Sequence, residues 1–323
     1  MRIHFLHSIS SFLLLITFAG CAVHPFPKQS ANVTLQDAHL FGTVVAFNTN
    51  STLLASGDQN GLILLSSLPK GSPIANFKAH DDYVTGIGFL REGEFVSTGE
   101  DKRIVVWDTT GKMLREIRTP SPITQMVLSI KDRIIITGHT DGSVRIWKLP
   151  QLEPGGHHPL HKGKVLSVAY DEVNQRLASS GNDGRVFVWN AGQEPRELNE
   201  GPGKIASLLF SSDGRILFGG AWFDLYRWDV ANGKVWIFPT EHNGVIHRLR
   251  YAGDDNTLAT ISRHTDGAVY FLNSQNGAAV RRFQSHELCG ADIAVSPDGC
   301  YLATTSDDSS VRIWYLPCKT RTN

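Results

Sequence analysis

Seven passages of this chain share one pattern at a spacing near 40 residues, and that repeat constrains the fold more tightly than any other feature. The clearest copy is Thr137 to Pro150, TGHTDGSVRIWKLP. Ile134, Ile135 and Ile136 lead into a turn at His139 to Gly142, and Val144, Ile146 and Trp147 follow. An Asp-Gly pair between two apolar runs predicts a hairpin, because Gly142 tolerates positive φ and the Asp141 carboxylate bonds nearby backbone. An Asp six positions before a Trp recurs as Asp101 and Trp107, Asp183 and Trp189, and Asp308 and Trp314. Asn60 with Ser66, Trp222 with Trp228, and Asp266 with Leu272 are degenerate copies. The copies close at 66, 107, 147, 189, 228, 272 and 314, intervals of 39 to 44 residues.

A period of that length, with two to four short strands and a Trp-Asp-like ending, is the pattern of a propeller blade. Trp107-Asp108 and Trp228-Asp229 carry the dipeptide itself, while Lys148, Asn190, Asn273 and Tyr315 replace its Asp. On these residues the chain resembles the WD-repeat family over residues 32 to 317. The resemblance implies an all-β, seven-bladed β-propeller, each blade a four-stranded antiparallel sheet. After Trp314 only Tyr315 to Asn323 remain, with Pro317 among them, too little for a last fourth strand. Asn32 to His39 aligns with Pro73 to His80, so an N-terminal strand is expected to close the ring and remove its exposed edges.

The resemblance also assigns a hydrogen-bonded set to each complete blade. These are His80, Ser97, Asp101 and Trp107; His161, Ser179, Asp183 and Trp189; and His286, Thr304, Asp308 and Trp314. Ser, His and Asp together also suit a hydrolase, but a set that recurs in three blades and includes an indole donor reads as structural.

The 323 residues are 41% hydrophobic and 19% charged with zero formal net charge, so no overall field recruits nucleic acid or an anionic membrane. Residues 1–20 read as a signal peptide: Arg2 precedes an apolar run from Ile9 to Phe18, short of the ~20 residues a spanning helix needs. Phe18-Ala19-Gly20-Cys21 resembles the bacterial lipoprotein box, although Phe18 stands where Leu is usual. That resemblance implies acylation of Cys21, with ordinary cleaved secretion as the alternative. Ala22 after the Cys slightly favours the outer membrane. Residues 21–31 read as a lipid-anchored tether, 32–317 as the propeller and 318–323 as a tail.

The fifth copy departs from the pattern, with Trp222 at the turn Asp position and Phe223 beside it. Either the two rings pack over a neighbouring blade or they serve recognition. The family's partner-binding surface is usually the top face, and on it Phe41, Tyr83, Lys164, Lys204, Trp222 and Phe223 are expected to share a rim. Counting along the innermost strands places Gly86, Gln125, Ser167, Ser207, Arg248 and Asp292 at one height, where Arg248 and Asp292 are expected to pair; ligand anchoring by Arg248 or Arg250 is the alternative. Cys300 and Cys318 are expected to form a disulfide, leaving Cys289 free. The expected function is a non-catalytic platform, monomeric by itself, for envelope proteins or peptides. No cofactor, metal site or nucleic acid is called for. The alternative is a periplasmic propeller enzyme of the quinoprotein or lactonase type.

Overall fold

The computed structural model describes residues 27–91, 93–198, 203–264 and 267–318; the signal, Cys21 and Asp266 lie outside them. Seven sheets stand around one axis, with blades at 42–78, 84–118, 123–159, 165–197, 207–239, 245–283 and 290–315. In each, sequence-consecutive strands pair as an antiparallel meander from the inner edge outwards. The inner strand of each blade contacts those of both neighbours, and that of blade 7 (Gly290–Val295) meets that of blade 1 (Gly42–Phe47), so the ring closes.

The middle strands are apolar without alternation because a blade is covered on both faces. Ile104, Val105, Val106 and Trp107 are all buried, whereas the outer strand Met113–Arg118 alternates towards solvent. The core is therefore divided into layers between blades. Val44, Ile63 and Leu65 of blade 1 meet Val84, Phe95 and Trp107 of blade 2, and Val311 and Ile313 of blade 7 meet Val45 and Leu54 of blade 1. The Asp-Gly turn of blade 3 requires its glycine. Gly142 has φ +83°, and a Cβ there would lie 2.0 Å from the His161 carbonyl oxygen.

The ring closes with Val33–Leu35, which pairs antiparallel with the last strand, Val33 opposite Ile313 and Leu35 opposite Val311. It covers three residues of the Asn32 to His39 stretch, and beyond it Asp37 turns to φ 51°. Part of the segment read as a free tether is also structured. Lys28–Gln29 pairs in parallel with Arg282 and Phe283 and gives blade 6 a fifth strand. Cys300 and Cys318 form a disulfide at the bottom of blade 7, with Cα atoms 4.7 Å apart, and Cys289 is free. The Cys300 carbonyl accepts from Leu316 N, which sets the chain end beside Cys300 before it bends at Pro317.

Candidate partner-binding face

In blade 2 the His80 Nδ1 donates to Asp101 at 2.9 Å, Ser97 Oγ bonds Nε2 at 2.7 Å, and the Trp107 indole donates to Ser97 Oγ at 2.8 Å. Burial alone would raise the Asp101 pKa, but hydrogen bonds from His80 and from the Asp81 and Arg103 amides hold it below the usual carboxylate value. The geometry of a catalytic triad is present without its access: Ser97 is fully buried and its oxygen is already engaged by Trp107. The group ties the loop before the first strand to the second and third strands.

The other two sets differ at the Trp. His161 bonds Ser179 at 2.9 Å and Asp183 at 3.0 Å, but Trp189 Nε1 has no hydrogen-bond partner, and its ring instead lies 5.3 Å from that of His158. His286 bonds Thr304 and Asp308, while the Trp314 indole donates to the Gln29 carbonyl at 3.1 Å. Trp314 is drawn away from Thr304 because the added N-terminal strand brings an acceptor to it. Burial lowers the pKa of both His161 and His286, against the opposing pull of Asp183 and Asp308.

Two blades build the same tie from other positions. In blade 3, His139 closes the second strand, bonds Thr137 Oγ1 at 2.8 Å and donates to the Ser121 carbonyl, and Trp147 donates to Thr137. Burial lowers its pKa to about 4, so the imidazole is neutral. In blade 1, His39 bonds Ser56 at 2.6 Å, and Asp58, not Asn60, accepts the turn amides of Asn60 and Leu62.

Lower in the channel the residues counted to one height link neighbouring blades. Gln125 accepts the Val168 amide, Ser167 that of Leu208, Ser207 that of Leu249 and Asp292 that of Val45. Asp292 also pairs with Arg248 at 3.4 Å and Arg250 at 3.6 Å, so one carboxylate ties blades 6, 7 and 1 beside the closing seam. Burial lowers the Arg248 pKa to about 10, which leaves it charged at neutral pH.

Above that belt a cavity of about 440 Å³ opens on the top face, within the size range of ligand sites. A bulge near the start of the inner strand re-aims the residues that line it. Thr43, Thr85, Thr124, Leu166 and His247 are each the extra residue at a register shift, and each borders the mouth. Of the expected rim, Tyr83, Lys164, Lys204 and Trp222 line this cavity; Phe41 and Phe223 do not. Phe41 stands beside blade 1 with its carbonyl accepting Gln59 N, and Phe223 packs against Trp222 with ring centres 5.5 Å apart. Both remain exposed. Trp222 does lie over the neighbouring blade, stacked on His264 at 5.5 Å, yet is still 45% exposed. Packing and accessibility therefore coexist at this ring.

The expected rim omitted Glu100, Asn182, His247, Arg263 and His264, which also border the mouth. Arg263 pairs with Asp307 at 3.1 Å, and Lys204 donates to Asn182. Among the described residues no group of three or more His, Cys, Asp or Glu is placed to hold a metal ion. None of their helices is long and apolar enough to cross a membrane.

This architecture, with its recurring His, hydroxyl and indole ties, defines a seven-bladed β-propeller. Consistent with that class, the WD domain, G-beta repeat family matches residues 71–108, 111–148, 153–190 and 277–315. Similar proteins include human Striatin-4, 23% identical over 92% of this chain and 44% of its own length, and the guanine nucleotide-binding protein subunit beta of Oryza sativa subsp. indica, 27% identical over 66% and 60%. The B-type cell cycle switch protein ccs52B of Medicago truncatula is 24% identical over 72% of this chain and 49% of its own length. The chain thus spans about half the length of these relatives. The matched repeats and these relatives together support a WD-repeat β-propeller family.

Proposed function

We propose that this propeller is a non-catalytic interaction platform of the bacterial cell envelope, anchored by lipid on Cys21, which presents its top face to protein or peptide partners. The observation that carries the reading is the aromatic group at the mouth. Phe223 holds φ +64°, a left-handed conformation that costs a bulky residue of order 1 kcal/mol or more. Its amide donates to Gly244 and its carbonyl accepts the Thr240 amide and hydroxyl, so the strained turn is held from three sides. The result is a pair of large rings fixed in solvent beside a cavity, which is how low-entropy binding anchors are built. The rice relative is by its name one subunit of a larger protein, which agrees with work inside an assembly.

The test is affinity capture from envelope extract with the mature chain and with Trp222→Ala. Recovery of one protein near 1:1, lost in the variant while the melting temperature holds, supports the platform. Equal recovery by both proteins refutes the top face as the binding surface. Labelling with a radioactive fatty acid, retained in the parent and lost in Cys21→Ala, tests the anchor.

A further inference from the structure

The charge at the mouth is one-sided. Lys164, Lys204, Arg248 and Arg263 border it, against Glu100 as the one carboxylate of the lining. Arg250 lies beneath, and the nearby counter-charges are Asp292, shared between Arg248 and Arg250, and Asp307 on Arg263. Among the described residues, five cations thus face three carboxylates. Arg248 is 8% exposed and reaches the cavity from its floor. The neighbouring groups report the same field: His247 is held neutral, first by burial and then by Arg248, Arg263, His264 and Lys164. An anion entering this cavity meets charges in a partly desolvated setting, where their attraction is stronger than on an open surface.

The rings specify what carries the anion. Tyr83 belongs to blade 2 and Trp222 to the turn of blade 5, three blades away across the mouth, and both are exposed. Accepting the top face as the partner-binding surface, we propose that the mouth receives an acidic side chain from the middle of an extended partner peptide. The carboxylate descends towards Lys164, Arg248 and Arg263, while apolar residues on either side rest against Tyr83 and the Trp222–His264 stack. The cavity has room for such a side chain together with part of its flanks, and the rings hold the peptide backbone above it. The recognised pattern is apolar, acidic, apolar.

The test measures binding of the mature chain to arrayed heptapeptides that share apolar flanks and differ only at the centre: Glu, Gln or phosphoserine. Glu peptides are expected to bind at least tenfold tighter than their Gln counterparts, and to weaken severalfold as salt rises from roughly 0.05 to 0.5 M. Lys164→Gln with Lys204→Gln, both at the solvent edge, should remove about tenfold from Glu peptides and little from Gln peptides, with the melting temperature unchanged. Equal binding of Glu and Gln peptides overturns the proposal, as does a preference for phosphoserine over Glu, which would make the ligand a phosphopeptide. If no Glu peptide binds while capture of a protein partner stays sensitive to Trp222→Ala, the acidic ligand is refuted and the platform stands. If capture is insensitive to Trp222→Ala, the platform reading itself falls.

Discussion

The indoles of Trp107 and Trp189 occupy the same place in two complete blades and are 5% and 3% exposed; each lies against one ring, Phe77 and His158 respectively, but Trp107 donates to Ser97 while Trp189 has no hydrogen-bond partner. Replacing each by Phe removes a similar apolar area, so the difference between the two variants isolates the polar term. Trp107→Phe loses a buried hydrogen bond worth about 1 kcal/mol net. Trp189→Phe removes an unsatisfied buried donor, which relieves about 1 to 3 kcal/mol. Trp107→Phe is therefore expected to cost about 2 to 4 kcal/mol more than Trp189→Phe. At ~2 °C per kcal/mol for a large domain, the gap in melting temperature is about 4 to 8 °C. The assay is guanidinium unfolding of both variants followed by far-UV circular dichroism, checked by calorimetry. Equal costs, or a larger cost at Trp189, would refute the account of the tie as a hydrogen-bonded structure and leave only packing. Trp to Ala at either site should cost ~3 to 5 kcal/mol in all.

Cys300→Ser opens an 18-residue separation and should cost about 3 kcal/mol by loop entropy; a peptide map joining Cys289 to either cysteine would contradict the structure. His139 is neutral in the fold with a pKa of about 4 against a reference of 6.5, so the unfolded chain binds more protons between these values. Its contribution is fully present above pH 6.5 and falls as the pH drops towards 4, by about 3 kcal/mol, and His139→Gln should flatten stability over that window. Asp308 is depressed by the His286 contact and the Ser310 and Glu287 bonds despite its burial, so its contribution is lost only below the ordinary carboxylate range; Asp308→Asn should reduce stability at pH 7 and narrow the gap as the solution is acidified. Because Val33–Leu35 closes the ring and Lys28–Gln29 precedes it from below, Cys21 to Pro27 reaches at most ~25 Å. With the proposed lipid on Cys21, the bottom face would be held towards the membrane, so a photocrosslinker at Gly299, in a bottom turn, should form lipid adducts in intact envelopes and one at Trp222 protein adducts; the reverse would overturn that orientation.

The blade count and the closure were readable because both rest on local chemistry repeated many times. Asp-Gly and related turns occur at a fixed distance from a buried aromatic, and a last blade that stops at Pro317 needs a strand from elsewhere. The strand at Lys28–Gln29 was not readable. Its two residues show no periodicity and follow a proline-containing stretch, and they are held by what tertiary structure supplies: the edge of blade 6, the Trp314 indole and the Gln284 amide. The mouth was partly readable for a related reason. Height along an inner strand follows from counting, but direction does not, because one extra residue in a strand turns the side chains after it to the other face. His247 reaches the mouth through such a bulge. Arg263 and His264 come from a blade whose turn lacks the regular pattern, so alignment on the turn gave no reason to single them out.

The irregular ties in blades 1 and 3 follow a steric rule that the sequence also contains. In blades 2 and 4 the second strand ends in Gly99 and Gly181, and a Cβ there would stand 2.6 and 2.2 Å from Nδ1 of His80 and His161. A histidine before the first strand therefore favours a small residue at that strand end, glycine in blades 2 and 4 and Ser306 beside His286 in blade 7. Blade 3 takes the other solution: His139 occupies the strand end, the smaller Thr119 stands at the histidine position before the first strand, and the imidazole donates to the carbonyl of Ser121 two residues further on. Blade 1 keeps His39 but ends its strand in Asp58, whose carboxylate stands 3.8 Å from the His39 Nδ1 and takes over the turn amides. The two sites thus form a coupled pair in which one side chain fills the space the other leaves. Placing histidine at both, as in Gly99→His, should clash with His80 and unfold blade 2, whereas the same change accompanied by His80→Thr should recover stability by restoring the arrangement of blade 3.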